Sequence, residues 1–305
     1  MKNILITGGR GSLAKHLQQL IPEGIFIAHC DYDLTIQNDV EKMFFEHKPD
    51  IIINCAARVA GIMENMNNQY DFYIKNILMN TLIIDTAQRH NVKRFINISS
   101  TCAYPDVVEN YPMTEEQIYI GPPSKFNESY AVAKRAAMQQ IEFCNTQFGT
   151  QYQNLIPCNL YSENEGFDLE KSHFVSALIK KIHLAKINGD DKIILFGNGG
   201  FVLRQFMYAN DLANVIKRCV DEDITESFNV APNENLSILE ITKIALKACD
   251  AERLEIGFDS TKPDGQYRKD VSNAKMMSIF PDFKFTPLED GIRDVYQKAI
   301  ELGKF

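Results

Sequence analysis

The chain has 305 residues, of which 45% are hydrophobic and 24% are charged, a composition typical of a globular protein with a large core. Its net charge of −8 and pI near 5.4 argue against a nucleic-acid binder, because such affinity comes from clustered Lys and Arg. The apolar run in MKNILITGG is too short for a signal peptide, and no later run could span a bilayer. The 7 cysteines lack CxxC spacing, so we expect no metal site and a reducing, cytoplasmic location.

Strands and helices alternate through the first half of the chain. Short β-branched runs predict the strands, and apolar residues at helical spacing predict the helices between them. In chain order the sequence predicts strands at 3–7, 25–28, 51–54, 94–99 and 153–157, and helices at 12–20, from 40, at about 70–90 and at about 128–148. The strand runs are apolar without alternation, as in a parallel sheet covered on both faces.

The pattern becomes less regular after about residue 159. Loops such as SENEGFDLEKS and GNGGFVLRQ separate the later elements, and no Pro-rich or Ser-rich linker intervenes. We therefore expect an α/β protein with a doubly wound parallel sheet in residues 1–160. Residues 161–305 should form mainly a smaller C-terminal lobe, with some segments returning to the first domain.

A glycine-rich turn follows the first strand and opens a helix. Gly8, Gly11 and Ala14 in TGGRGSLAKHL have the spacing of dinucleotide-binding turns, in which glycine lets the backbone approach a pyrophosphate at the helix N-terminus. The turn therefore favours a dinucleotide cofactor, and its other expected contacts are Arg10, Ser12 and Leu13.

Tyr130 and Lys134 in SYAVAK stand four residues apart, so a helix places both on one face. A neighbouring ammonium would lower the pKa of a tyrosine and suit it to acid-base work. Ser100 follows the fourth strand, and strand C-termini form the ligand crevice of a parallel sheet. We therefore expect Ser100 and Tyr130 to converge on one substrate carbonyl.

Together these motifs resemble the extended short-chain dehydrogenase/reductase family, whose dinucleotide-binding domain is a Rossmann fold. The resemblance also rests on NCAA at 54–57 and runs over nearly the whole chain. Within that family, the segments AARVAGI, STCAYP, NESYAVAKRAAM, LRQFMYANDLA and KPDGQYRK are similar to the GDP-L-fucose synthase group. The resemblance implies C3/C5 epimerisation and NADPH-dependent C4 reduction of a GDP-4-keto-6-deoxy sugar.

The resemblance also implies the roles of individual residues and an assembly. Ser100, Tyr130 and Lys134 would form the reductive triad, with Cys102 and His173 as the acid-base pair for epimerisation. Tyr130 and Lys134 would also bind the cofactor. The other implied residues are Ala56 and Ala57 for the cofactor, and Asn159, Lys181, Phe196, Arg204 and Lys262 for the substrate. A homodimer built by pairing the two long helices is implied as well.

The chemistry of a 4-keto sugar explains why a thiol would stand at residue 102. Hydrogens at C3 and C5 are both α to the carbonyl, so a side chain can remove them. Inversion needs a proton to leave one face and another to arrive on the opposite face. A thiol and an imidazole, with reference pKa values of about 8.5 and 6.5, can serve as that pair near neutral pH.

The sequence departs from the group's pattern at several places. Arg10 favours NADP, but Cys30 stands where the group has a second arginine, and Asp31 and Asp33 could instead bind an NAD ribose, so NAD stays open. The group's NLYGP is NLYSE here, close to the expected sugar pocket, which leaves hexose and heptose substrates open. Lys181 and Phe196 replace an arginine and a tryptophan, so the sequence does not identify the nucleotide base of the substrate.

Three alternatives remain. The first is a single-activity relative, either a C4 reductase or an epimerase. A 4,6-dehydratase is disfavoured, because those relatives carry an Asp-Glu pair where this chain has Thr101-Cys102-Ala103. A dinucleotide-binding regulator without catalysis belongs to another class, and such proteins often lose the tyrosine or lysine that this chain keeps.

Overall fold

The computed structural model describes residues 2–169, 172–262 and 264–305. In chain order the strands are β1 (Ile4–Thr7), β2 (Ile25–Ile27), β3 (Ile51–Asn54), β4 (Arg94–Ile98), β5 (Gln151–Pro157), β6 (Asn159–Tyr161), β7 (Lys192–Phe196), β8 (Leu203–Arg204), β9 (Phe206–Tyr208), β10 (Phe228–Val230), β11 (Leu236–Ser237) and β12 (Glu255–Asp259). The helices are α1 (Ser12–Leu20), α2 (Gln37–His47), α3 (Ile62–Asn67), α4 (Gln69–Arg89), α5 (Glu128–Phe148), α6 (Phe174–Asn188), α7 (Ala209–Asp221), α8 (Ile238–Ala248), α9 (Ala274–Ile279) and α10 (Leu288–Glu301).

A six-stranded parallel sheet forms the centre of the fold, in the order β10-β5-β4-β3-β1-β2. Alternate residues of its strands point to opposite faces, and both faces are covered. Ile6 and Ile53 pack with α1 and α7, whereas Leu5 and Ile52 pack with α2, α4 and α5. The predicted doubly wound parallel sheet is therefore confirmed, and its fully buried strands explain the apolar runs in the sequence.

A ladder of polar side chains crosses the sheet near the ends of its strands. Thr7 Oγ1 donates to Asn54 Oδ1 at 2.7 Å, Asn54 Nδ2 to Asn97 Oδ1 at 3.2 Å, and Asn97 Nδ2 to Asn154 Oδ1 at 2.9 Å. These residues are in register on four neighbouring strands. Because buried amides must be hydrogen-bonded, the ladder stabilises this register and thereby the relative positions of the loops that follow.

A second apolar core lies in the C-terminal part of the chain. It packs α6, α8 and α10 against a parallel pair, β7 with β12, and includes Ile179, Ile241 and Ile292. The chain also crosses back, because Phe228 and Phe280 pack in the core of the first lobe. The exact boundary at residue 160 stays a prediction. No helix in the described part of the chain is long and apolar enough to cross a membrane.

Candidate active site

A cleft of about 850 Å³ opens along the carboxyl ends of the parallel strands and is closed on its other side by the second lobe. Residues that follow β1, β2, β3 and β4 line one wall, and residues of α6, β7 and β8 line the other. Ligands of open α/β sheets bind at this edge. The cleft brings together most of the sequence-predicted residues: Gly8, Arg10, Gly11, Ser12, Leu13, Ala57, Ser100, Cys102, Tyr130, Lys134, Asn159, His173, Lys181, Phe196 and Arg204.

Two predicted residues are absent from the described lining. Ala56 is buried, and its backbone N–H donates to Thr7 Oγ1 at 3.2 Å, so it supports the wall from behind. Lys262 is exposed, and its ammonium lies 5.8 Å from the centre of the Phe196 ring, outside the cleft. Direct ligand contact by these two residues stays a prediction.

The glycine turn has the shape that a dinucleotide needs. Gly8 has a φ of +68°, and a Cβ added there would come within 3.0 Å of the backbone of Cys55 and Ala56. Helix α1 begins after Gly11 without a side-chain cap or an acid in its first turn. Within the described residues, the buried Ser12 Oγ has no partner. Uncapped N–H groups and an unpaired hydroxyl suit a pyrophosphate, so the residues present fit the cofactor.

A short helical turn at 101–103 places the thiol of Cys102 beside the serine. Ser100 Oγ accepts from the Cys102 N–H at 3.1 Å, and Ser100 also bonds Tyr130. Burial opposes a charged thiolate, but Lys269, Ser100 and Arg204 together hold the pKa of Cys102 below its ordinary value. This thiol is therefore poised to exchange protons.

Tyr130 and Lys134 lie on one face of α5, but their electrostatics differ from the sequence-based prediction. The ammonium of Lys134 lies 5.8 Å from the centre of the Tyr130 ring and donates to the Ile98 carbonyl at 2.6 Å. Burial, with the charge of Cys102, raises the pKa of Tyr130, and only the Ser100 bond lowers it. Burial also lowers the pKa of Lys134 to about 8. The pKa of Tyr130 is therefore raised and not lowered as the sequence predicted, because burial outweighs the effects of its neighbours.

Lys269 is a residue of this site that sequence reasoning missed. It is 8% exposed, and its ammonium lies 3.4 Å from Cys102 Sγ and 3.5 Å from Asn159 Oδ1. It belongs to the KPDGQYRK segment, so the segment was a signal, although the sequence-based choice within it was Lys262. A cation this close to a buried thiol stabilises the thiolate.

His173 lies across the cleft as the N-cap residue of α6. Burial and the charge of Lys269 lower its pKa, so its imidazole is mainly neutral at pH 7. Glu165 lines the same lobe of the cleft and was also missed. Its carboxylate accepts from Ser176 Oγ at 2.5 Å, and burial raises its pKa to about 7. Glu165 is thus a further group of the site that can exchange a proton near neutral pH.

The predicted substrate residues surround the thiol and extend away from it. Asn159 Nδ2 donates to the Gln205 carbonyl at 2.8 Å, which leaves its oxygen toward Lys269. Burial lowers the pKa of Arg204 to about 10. Farther along, Lys181 lies 4.8 Å from the centre of the half-exposed Phe196 ring. This end offers two cations and an aromatic face, which suit a nucleoside diphosphate.

Ser162 and Glu163, the two residues of NLYSE that depart from the group's pattern, lie behind the cleft and not in its described lining. His16 and Ser162 share a hydrogen bond of 2.9 Å, and Tyr208 OH donates to Glu163 at 2.9 Å. Lys298 of α10 lies 3.8 Å from Glu163. This buried network joins α1 of the first lobe to α10 of the second. The departure therefore alters the contact between lobes, in contrast to the expected change beside the sugar.

Comparison with known proteins identifies relatives with the same architecture. The model of the NAD dependent epimerase/dehydratase family matches residues 4–231. A probable GDP-L-fucose synthase of Drosophila melanogaster is 32% identical, with 99% of this chain and 98% of that protein covered. The GDP-L-fucose synthase of Dictyostelium discoideum is 32% identical over 98% and 96%.

Solved structures agree with these relatives. A GDP-L-fucose synthetase from Naegleria fowleri bound to NADP superimposes with a TM-score of 0.87 at 30% identity, covering 98% of this chain and 93% of that one. The resemblance read from the motifs is confirmed: the chain belongs to the NAD dependent epimerase/dehydratase family, and its relatives include GDP-L-fucose synthases.

Proposed function

We propose that the chain is an NADPH-dependent nucleotide-sugar epimerase/reductase. Its substrate is a GDP-4-keto-6-deoxy sugar, which it epimerises at C3 and C5 and reduces at C4. The relatives named GDP-L-fucose synthase support this substrate and both reactions. The observation that carries the proposal is the convergence of Ser100, Cys102, Tyr130 and His173 on one cleft.

In the epimerisation, Cys102 removes a proton from the carbon next to the ketone. Lys269, whose ammonium lies 3.4 Å from the sulfur, stabilises the thiolate before the transfer. This electrostatic attraction is lost when the thiol is protonated. His173, which lines the α6 wall of the cleft, takes up a proton from solvent and in its protonated form delivers it to the sugar. Two groups on opposite walls give inversion, whereas one group alone would return the proton to the same face.

In the reduction, Tyr130 donates a proton to the C4 oxygen while bonded to Ser100. The raised pKa of Tyr130 keeps its proton on the phenol, which suits a donor. The same two hydroxyls stabilise the enolate oxygen that develops during epimerisation. NADPH, when bound along the glycine turn, supplies the hydride to C4. Lys134 of α5 donates to the Ile98 carbonyl of β4, and this bond stabilises the position of Tyr130 on the same helix.

We further propose that the protein is a cytoplasmic homodimer. The cysteines that the structure describes are unpaired, which fits a reducing compartment. Helices α4 and α5 pack side by side, and both expose large apolar side chains: Tyr70, Tyr73, Leu78, Val132, Phe143 and Phe148. A second copy would cover such a surface through a two-fold axis.

The function is tested with purified protein, GDP-4-keto-6-deoxy-mannose and NADPH. We expect NADPH oxidation coupled to a sugar inverted at C3 and C5, with the product configuration read by NMR. Mass spectrometry of nucleotide that copurifies with the protein gives an independent readout of the cofactor. Reduction without inversion would show that the protein is a C4 reductase, and inversion without NADPH oxidation would show that it is an epimerase. The absence of both reactions would contradict the proposal.

A further inference from the structure

A histidine that follows β2 lines the same cleft as Arg10. Ala28, His29 and Cys30 follow β2 and line the cleft with Arg10 of the glycine turn. In dinucleotide folds the residues after the second strand contact the ribose, and an acid there accepts bonds from the 2′-hydroxyl of NAD. Ala28 stands at the strand end in this chain, so the strand itself supplies no such acid.

The two nearby aspartates are turned toward the protein backbone. Asp31 accepts from the Ala28 N–H at 2.8 Å, and Asp33 accepts from the Thr35 N–H and hydroxyl at 2.9 and 2.7 Å. Neither belongs to the described lining of the cleft. The carboxylates that do line it, Glu165 and Asp264, are bonded to Ser176 and Asn198 of the second lobe. The lining residues that follow β2 therefore include no acid, although Asp33 lies beside His29.

His29 itself is available for a ligand. Its side chain is 83% exposed, and its Nδ1 lies 3.9 Å from Asp33 Oδ1, a distance at which an exposed ion pair contributes little. The other charged groups around this loop are Asp31, Arg10 and Lys75 of α4, whose charge acts on Asp33. Arg10 and Lys75 balance the charges of Asp31 and Asp33, so the positive charge that His29 carries when protonated would attract a doubly charged phosphate to the loop.

We infer that His29 is the second cation for the 2′-phosphate of NADP, in the role that an arginine after this strand would otherwise fill. The inference rests on the NADPH dependence proposed above and adds a specificity-determining residue to it. Histidine changes charge between pH 5 and 8, whereas arginine does not. The preference of this protein for a 2′-phosphate should therefore depend on pH, with Arg10 supplying the constant part.

The test uses adenine nucleotides, so it needs no sugar substrate and no turnover. Isothermal titration calorimetry gives the affinities for 2′,5′-ADP and for 5′-AMP at pH 6 and pH 8, at constant ionic strength. The ratio of the two affinities measures recognition of the 2′-phosphate. Wild type is compared with His29→Gln, His29→Lys and Arg10→Gln. His90→Gln is the matched control, because His90 bonds Glu41 away from the cleft.

We expect His29→Gln to lower this ratio about two- to fivefold at pH 6 and less at pH 8, the range of an exposed charge pair. His29→Lys should restore it at both pH values, and His90→Gln should leave it unchanged. Comparing variants at one pH cancels the titration of the phosphate itself. A ratio in His29→Gln equal to wild type at pH 6 overturns the inference, as does a protein that binds neither nucleotide. If the nucleotide affinities change as expected but the protein does not convert the sugar, only the proposed reaction is contradicted.

Discussion

The ammonium of Lys269 lies 3.4 Å from the sulfur of Cys102, although 167 residues separate them in the chain. Cys102 follows a strand of the first lobe, and Lys269 comes from the loop before α9. Both residues line the cleft, and their contact lies where the proposed proton transfer occurs. It also explains why the pKa of a buried thiol is lowered when burial alone would raise it.

Lys269→Met should raise the pKa of Cys102, because the substitution removes the nearest cation and leaves the burial. The thiolate form would then appear at higher pH than in wild type. The measurement is the pH dependence of alkylation at Cys102 by iodoacetamide, followed by peptide mass spectrometry. Lys262→Met removes an exposed lysine of the same region and serves as the control. Coincident curves for Lys269→Met and wild type would show that Lys269 does not stabilise the thiolate.

Tyr130→Phe removes the proposed proton donor to the C4 oxygen and keeps the ring. Reduction should fall about 100- to 10,000-fold, the usual contribution of a general acid. Cofactor binding should stay close to wild type, because the glycine turn and Lys134 are unchanged. Stopped-flow NADPH oxidation measures the reduction, and calorimetry measures the binding. Turnover near that of wild type would remove Tyr130 from the reductive step.

Glu165→Gln tests the raised pKa of a carboxyl in the cleft wall. The folded pKa of about 7 lies above the unfolded value. At pH values between the two, the folded protein therefore binds this proton more tightly than the unfolded chain does. This group's contribution to stability is therefore present at low pH and is lost as the pH rises from about 4.5 to 7. Melting temperatures measured across that range should fall more steeply for wild type than for the variant. Parallel curves would show that Glu165 titrates normally.

Phe143→Glu tests the proposed homodimer. Phe143 is 62% exposed on α5, and a carboxylate there would be buried against its partner in a two-fold interface. We expect the variant to be monomeric by light scattering at micromolar concentration, with an unchanged far-UV spectrum. Lys125→Glu, a charge change just before α5, is the control. A wild-type protein that is itself monomeric at that concentration would rule the dimer out.

The parallel sheet could be predicted because strands that are buried on both faces consist of uninterrupted apolar residues. The bounds of β3, α1 and α5 agree with the sequence-based ranges, because an apolar run marks β3 and apolar residues at helical spacing extend along α1 and α5. Helix α3 was not predicted, because its six residues are too few to show a helical period.

The site was only partly predictable, for a different reason. Ser100 and Tyr130 belong to motifs with fixed spacing, so their sequence already indicates their place. Lys269 acquires its role from a contact between distant segments, so its motif indicated the segment but not the residue, and Glu165 acquires its role from burial, which no local pattern records. Asp31 illustrates the same limit, because its position suggested a ribose contact while its side chain bonds the backbone of its own turn.

The central claim is that Cys102 moves protons at a carbon next to the ketone, separately from reduction. Wild type and Cys102→Ala are incubated with the 4-keto sugar and NADPH in deuterated water, and NMR reads the label at C3 and C5 and the configuration of the product. We expect wild type to incorporate deuterium at the inverted centres. The alanine variant should incorporate none and should reduce the sugar without inversion. Unaltered labelling and the wild-type product from Cys102→Ala would contradict the account and leave the thiol a structural role.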